Sequence, residues 1–327
     1  MWYRNIRGAL EEIGFEQNPY DKCVFNKLDK DGVQVTVAIH VDDLMITSVS
    51  QRLVDELENH LRNKYGDITV KDGKVLDYVG MTFDFSQEGS VRITMAHCIE
   101  EILATCGVEG TAATPATDNL FNVRDDATPA TTEEAIWFHS FTAKMLYVSK
   151  RVKPECLVTV SFLSTRVQKC DQDDLNKLRR LLKYLRATKD RGIAIKIGDE
   201  IEINCYIDAS YGVHMDSGKS HSGLAVVLGE GPVNVYSSKQ HINVKSSTEA
   251  ELVALRRSAP EAFPGRPRIR RPVQHQTGQH VNDGADKERR AWSYRVTAYP
   301  HSILLVEGSN RFRGSYHSAY TNRRNDR

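Results

Sequence analysis

The 327-residue sequence predicts an α+β protein made of several small packed units and ending in a tail without a fold signal of its own. Apolar alternation around "VQVTVAIHVDDLMITS", and again beyond Gly192, predicts antiparallel strands, because successive strand side chains point to opposite faces. Between these regions, residues 133–190 repeat apolar residues at helical spacing. Beyond Phe263 that periodicity is lost, and twelve of the 13 basic residues from Ala259 to Arg327 are arginine.

In the first hairpin, Val33, Val35, Val37, Ile39 and Val41 fall on one strand face, and Leu44, Met45 and Ile46 begin the return, which puts Asp42 and Asp43 at the tip. Adjacent carboxylates in a half-buried turn repel each other, and a divalent cation would relieve that repulsion. A solvated acidic turn is the competing reading. Next, "SVSQRLVDELENHLRNKY" offers a capping box from Ser48 to Gln51 and a helix with Leu53, Leu57, Leu61 and Tyr65 on one face. "KVLDYVGMTFDFS" and "SVRITM" predict two more strands, and "HCIEEILATC" a helix that stops at Gly107. These elements form a unit over residues 1–110, and the Thr-, Ala- and Pro-rich residues 111–132 read as a linker.

Residues 133–190 are predicted helical: "EEAIWFHSFTAKMLYVSKRV", a break at Pro154, "CLVTVSFLSTRVQ", then "DDLNKLRRLLKYLRATK" with Leu175, Leu178, Leu182 and Leu185 in phase. Residues 191–258 return to strands in "IEINCYIDAS", "SGLAVVLG" and "VNVYSSK", followed by a helix at "SSTEAELVALRR" with Ser247 as its N-cap. Strands followed by a helix predict the opening half of a mixed α/β layer.

The composition, 40% hydrophobic and 27% charged, is that of a globular protein. No apolar run approaches the roughly 20 residues of a membrane helix. Glu11 and Glu12 stand where a signal peptide would have its apolar core, so a cytoplasmic or nuclear setting without a membrane is expected. The six cysteines show no C-x-x-C pairing and are expected to be reduced and mostly buried. The net charge of +1 hides an asymmetry: Met1 to Ser258 carries 31 basic and 37 acidic residues, Ala259 to Arg327 carries 13 and six. One reading of this tail is a basic arm on a non-catalytic nucleic-acid-binding protein.

Three features carry chemistry: the V-D-D hairpin, Asp208 at the end of "INCYID", and the helix with Glu249 and Glu251. Around them the chain resembles the polymerase polyprotein of copia-type long-terminal-repeat retrotransposons. "MWYRNIRGALEEIGFEQNPYDKCVFNK" is similar to that family's aromatic-rich lead-in, "HVDDLMITS" to its Y-V-D-D motif, and "VLDYVGMTFDF" to the following L-x-Y-x-L-G strand. "MLYVSKRVKPE" and "LRRLLKYLRATKDRGI" resemble its connecting helices. "IDASYG", "HSGLAVVLG" and "VYSSKQHINVKSSTEAELVAL" resemble the D-A-D-W, S-T-S-G-Y and S-K-K-Q…S-S-T-E-A-E-Y segments.

The resemblance implies a partial reverse-transcriptase palm, a helical connection and an incomplete ribonuclease H-like α/β unit. It also implies Mg²⁺ or Mn²⁺ as cofactor and an RNA–DNA hybrid or primer–template as partner. Asp42 and Asp43 would be polymerase metal ligands, because two-metal phosphoryl transfer gathers carboxylates at one point. Asp208 and, by alignment of the helix, Glu251 would be ligands of the ribonuclease H-like unit, with Glu249 facing solvent or capping its helix. Trp2, Tyr3, Phe15 and Tyr20 suit either core packing or base stacking, with packing favoured. His40 replaces the family's tyrosine. Ser210 and Tyr211 stand where D-W is usual and are not expected to be ligands.

The family's first catalytic aspartate lies upstream of the segment that begins here, so neither activity is expected of this polypeptide alone, and another chain could supply the absent half. Its later Q-D-N and S-R-H-I segments are not legible either. A one-base shift, however, lets the codons for Gln276 to Lys287 read "KQDNMSTMALI" and those for Val296 to Val306 read "SRHIRIRYFW". One slip near Phe263 would explain both the arginine excess and the lost periodicity, and residues 259–327 are then expected to be disordered. Sequencing the locus checks this: the shifted frame should encode Q-D-N and S-R-H-I, and a locus without them ends the idea.

Overall fold

A computed structural model describes residues 2–196, 201–262, 290–296 and 302–307. The chain divides into two compact units, Met1–Val79 with Tyr299–Arg327, and Gly80–Ala298. Its sheets pair antiparallel throughout the described ladders, as expected of an α+β chain. No helix among the described residues is long and apolar enough to cross a membrane.

In the first unit, α1 (Trp2–Glu12) precedes β1 (Glu16–Gln17), β2 (Val24–Leu28), β3 (Gln34–His40), β4 (Asp43–Ser48), α2 (Gln51–Tyr65), β5 (Thr69–Asp72) and β6 (Val75–Tyr78). Neither α1 nor β2 is among the elements expected from the sequence. Strands β1 to β4 lie in order, and Ser302–Glu307 pairs between β4 and β5. Ile6 and Leu10 of α1, Phe25, Val35, Val37, Ile39, Leu44 and Ile46 of the sheet, and Leu53, Leu57 and Leu61 of α2 form one buried core. Burying each such side chain contributes about 1.5–3 kcal/mol. Trp2, Tyr3 and Tyr65 pack partly buried against this core and Phe15 belongs to it, whereas Tyr20 is exposed. The expected capping box at Ser48 is not formed. The N-cap of α2 is Ser50, without a side-chain bond, and Ser48 Oγ instead donates to Gln34 O at 2.9 Å.

The second unit begins inside the segment expected to be one strand. Val79 and Gly80 have φ of 54° and 72° and separate β6 from β7 (Met81–Asp84). Strands β7, β8 (Ser90–Thr94) and β9 (Ile193–Lys196) pair in order, and α3 (Ala96–Thr105) ends before Gly107, whose φ is 65°. Next come α4 (Thr132–Ser149), a 3-10 turn at Pro154–Cys156, α5 (Leu157–Ser164) and α6 (Gln172–Ala187). Both α4 and α6 carry capping boxes, Thr131 with Glu134 and Asp171 with Asp174. Leu175, Leu178, Leu182 and Leu185 are buried as expected, with Ile99, Phe138, Met145, Phe162 and Leu163. Residues 111–132 lie within this unit and add buried Leu120 and partly buried Phe121 to its core.

Two buried cations of this unit are paired. Arg166 donates to Asp174 Oδ2 at 2.8 Å and to Asp171 Oδ2 at 2.9 Å, with side-chain exposures of 5%, 1% and 10%. Burial pushes the Asp174 carboxyl up while the Arg166 guanidinium pulls it down. Lys153 is wholly buried and its Nζ donates to Thr188 O at the C-terminus of α6.

A second sheet holds β10 (Ile201–His214), β11 (Lys219–Leu228) and β12 (Gly231–Lys239), with α7 (Ser247–Ala262) packed on β10 and β11. A Cβ at Gly231 would collide with the Ala194 carbonyl, so β9 approaches the start of β12 closely. The N-cap of α7 is Ser246, one residue before the expected Ser247: Ser246 Oγ accepts the Glu249 N–H at 3.2 Å, and Glu249 Oε2 accepts the Lys245 N–H at 2.7 Å. Arg290–Val296 adds an antiparallel strand to the free edge of β10. Within the stretch expected to be disordered, 259–327, the described residues are the last turn of α7 and the strands 290–296 and 302–307. A sheet edge offers unpaired N–H and C=O groups to any extended apolar segment, selected or not. The rest of that expectation falls outside the described residues.

Four of the six cysteines, Cys106, Cys156, Cys170 and Cys205, are buried and all six are free. His214 and His221 are buried side by side: His214 Nε2 and His221 Nδ1 share a hydrogen bond of 3.0 Å, and His221 Nε2 meets Ser237 Oγ at 2.7 Å. Burial, with Lys239 adding to it at His214, holds both imidazoles down at about 4 from the ordinary 6.5. The unfolded chain therefore takes up protons that the folded chain refuses between those values, so stability falls as pH drops through that window. Urea unfolding followed by Trp137 fluorescence should show a midpoint that decreases from about pH 7 to about pH 4.5, with the slope reduced in the His214→Gln/His221→Gln variant.

Candidate functional site

The hairpin that carries Asp42 and Asp43 is anchored by its buried face. Val35, Val37, Ile39, Leu44 and Ile46 point into the core of the first unit, and Val37 pairs with Ile46 across the turn. His40 pairs with Asp43, so the two-residue tip is Val41–Asp42 and Asp43 opens the returning strand. The expected tip is thus corrected by one residue. Val41 leaves the apolar face and is 65% exposed. Its φ is 56°, and Asp42 has no positive φ, a pattern that fits the type II′ turn that matches strand twist. Such a turn favours glycine at its first central position, and a β-branched residue there carries about 1–3 kcal/mol of strain.

Tyr78 lies beside this tip. Its hydroxyl donates to Ala38 O at 3.2 Å, and its ring meets His40 edge-on at 6.5 Å. Burial pushes the phenol up to about 12, with the negative charges of Asp43 and Asp21 and the Cys23 thiol adding to it. Asp21 precedes β2, where its Oδ1 accepts the Cys23 N–H at 2.8 Å and Cys23 O accepts the Ile39 N–H at 2.8 Å. Sequence reasoning missed both Asp21 and Tyr78. The Asn18–Asp21 turn signal was present, but nothing in it pointed to the hairpin.

The structure does not bring the Asp208 and Glu251 carboxylates together as expected. Asp208 is not at a strand end: β10 runs on through Ala209 and Ser210 to His214, with its register shift between Ser210 and His214. Cys205, Ile207 and Ala209 meet Ala250 and Ala254 of α7, so alternation turns Asp208, opposite Gly223, to the other face of the sheet. Glu251 Oε1 accepts the Ala209 N–H at 3.3 Å and so reaches the backbone next to Asp208. Ser210 is half-buried and Tyr211 exposed. Gln240 is a positioning residue without a signal in the sequence. Buried at the end of β12, its Nε2 donates to Ser222 Oγ at 2.8 Å and to Ala250 O at 2.9 Å, and so ties α7 to β11 beside Glu251. Among the described residues no group of three or more His, Cys, Asp or Glu side chains gathers as a metal site.

Residues 1–118 match the sequence model of the family described as reverse transcriptase (RNA-dependent DNA polymerase). The chain is 25% identical over 258 residues to a transposon Ty5-1 protein of Saccharomyces cerevisiae, covering 77% of this chain and 82% of that protein. It is 26% and 27% identical over 273 residues to the retrovirus-related Pol polyproteins from transposons RE2 and RE1 of Arabidopsis thaliana. Those matches take in 80% of this chain but only 18% and 17% of the polyproteins. No solved structure matches the chain.

The strained turn yields a test. Because the Val41 side chain is exposed, replacing it gives up little packing, and Val41→Gly should raise the unfolding free energy of its unit by about 1 kcal/mol in chemical denaturation.

Proposed function

The chain belongs to the copia-type retrotransposon polymerase polyproteins, and from that premise we propose that residues 1–110 are the back half of a reverse-transcriptase palm, residues 133–190 its helical connection and residues 191–258 a ribonuclease H-like segment. The ancestral work of these parts is RNA-directed DNA synthesis on a primer–template and cleavage of the RNA strand in RNA–DNA hybrids. The observation that carries the reading is the V-D-D hairpin, with its two-residue Val41–Asp42 turn on a buried apolar strand pair, inside the segment that matches the reverse-transcriptase family.

The donor set fits the cofactor the family uses. Carboxylate oxygens are hard ligands, and Mg²⁺ is commonly held by one or two carboxylates completed by substrate phosphates. Asp42 and Asp43 would hold it at the hairpin, whereas in the ribonuclease H-like segment Asp208 faces away from α7 and does not form one ligand set with Glu251. When bound, the ion supplies Lewis-acid activation of the attacking hydroxyl and charge neutralisation at the phosphate. The rest falls to the chain. The short turn fixes the spacing of Asp42 and Asp43, and Tyr78 stays a neutral phenol beside Asp43 throughout the working pH range. Glu251, held by the Ala209 N–H, keeps α7 in register with the strand that bears Asp208.

Neither place gathers more than two of the named carboxylates, and two-metal chemistry calls for more, so the 327-residue polypeptide by itself is expected to be inactive. Primer extension and hybrid cleavage with Mg²⁺ or Mn²⁺ test this against Asp42→Asn and Asp208→Asn. Turnover above background that these changes abolish would refute the expected inactivity. Failure of the polypeptide to bind primer–template or hybrid at all, at low salt, would count against the family function.

A further inference from the structure

Four charged side chains of α6 hold residues 108–124 along the helix. Arg186 Nη2 donates to Val108 O at 2.6 Å, Arg180 Nη2 to Thr114 Oγ1 at 2.8 Å and Lys177 Nζ to Asn122 O at 2.7 Å, while Asp173 takes Arg124 Nε and Nη2 at 2.7 and 3.0 Å. Between the Thr114 and Arg124 tethers lies a cavity of about 550 Å³, within the usual size of small-molecule sites.

The cavity is rich in donors. Its one lining carboxylate, Asp173, has both oxygens engaged by Arg124. Thr117 Oγ1 donates to Asn119 Oδ1 at 2.5 Å and Arg179 Nη1 to Asn176 Oδ1 at 3.1 Å, so these amides use their oxygens elsewhere and keep their NH₂ groups as donors. The Lys177 side chain is 13% exposed, and burial lowers its pKa. Arg180 Nε is buried without a hydrogen-bond partner among the described residues, and no ion pair of Arg180 is present there. The Arg180 side chain as a whole is half-buried and lines the cavity, and the planar fork of its guanidinium matches the oxygens of a phosphate.

We propose that this cavity is a phosphate-ester site, with Arg180 and Lys177 holding the phosphate oxygens and the Asn119 and Asn176 amides donating at its rim. It stands apart from the polymerase reading, since it involves none of Asp42, Asp43, Asp208 or Glu251. The phosphate could belong to a free ligand of nucleotide size or to a nucleic-acid strand, and the two are separable.

The test is calorimetric titration of the full chain with inorganic phosphate, a nucleoside monophosphate and a short single-stranded DNA. Saturable binding that weakens at least tenfold in Arg180→Gln, recovers in part in Arg180→Lys, and is untouched in Arg151→Gln, whose guanidinium lies 3.7 Å over the Tyr147 ring, is the expected result. Binding of the monophosphate identifies a free ligand, and Arg180-dependent binding of the DNA alone identifies a strand. Should Arg180→Gln fail to fold by circular dichroism, Asn119→Asp, which adds a negative charge at the rim, is expected to give the same loss. No saturable binding of any probe up to about 10 mM, or binding that survives both Arg180→Gln and Asn119→Asp, would overturn the proposal.

Discussion

Arg166 is the pivot of the second unit. Its guanidinium meets two carboxylates, Asp171 and Asp174, that are themselves the N-cap and third residue of α6, and all three side chains are almost shut off from water. Removing one member of such a group leaves a buried charge uncompensated, at a cost of about 3–5 kcal/mol. The cluster thus fixes where α6 starts and how it is turned. From that rotation follow the leucine face that closes the core and the charged stripe that holds residues 108–124. Buried Lys153 closes the other end of the helix through Thr188 O, so α6 is pinned at both termini by polar contacts and in the middle by apolar ones.

The hairpin of the first unit shows the opposite arrangement. There the buried residues are apolar except for Ser48, and the two carboxylates are pushed to a turn that has to accept a valine with φ of 56°. Strain stored at a solvent-facing tip is tolerated when the flanking strands over-determine it, and five buried apolar residues do so here. A V-D-D sequence therefore trades local comfort for a fixed placement of adjacent carboxylates. In the second sheet the corresponding task is done by hydrogen bonds, with Gln240 and Glu251 locking α7 to the strands.

What the sequence made legible was periodicity. The α2 and α6 stripes, the β3–β4 hairpin and the three strands from 201 to 239 follow from apolar spacing alone, and their buried residues are those the spacing selects. Boundaries were less legible, because they rest on single hydrogen bonds: the turn tip moved by one residue, the α7 cap from Ser247 to Ser246, and Asp208 from a strand end to its middle. Polar residues that work by burial were not legible at all. Nothing in the letters around Lys153, Arg166, Gln240 or Tyr78 distinguishes them from surface residues, since burial of one side chain is decided by elements distant in sequence. The tail shows the converse, for segments without a periodic signal still pair with open sheet edges.

The break between the compact units falls at Val79 and Gly80, whereas the likeness to the reverse-transcriptase family runs on to residue 118. The stretch between these limits, β7, β8 and α3, shares its buried cluster with α4, α5 and α6. A fragment cut where the family likeness stops would carry Ile93, Met95, Ile99 and Ile102 stripped of the helices that cover them, a sticky surface with nothing to shield it. Modules traced by evolutionary likeness and bodies traced by packing need not share their seams, and a workable excision here follows the packing.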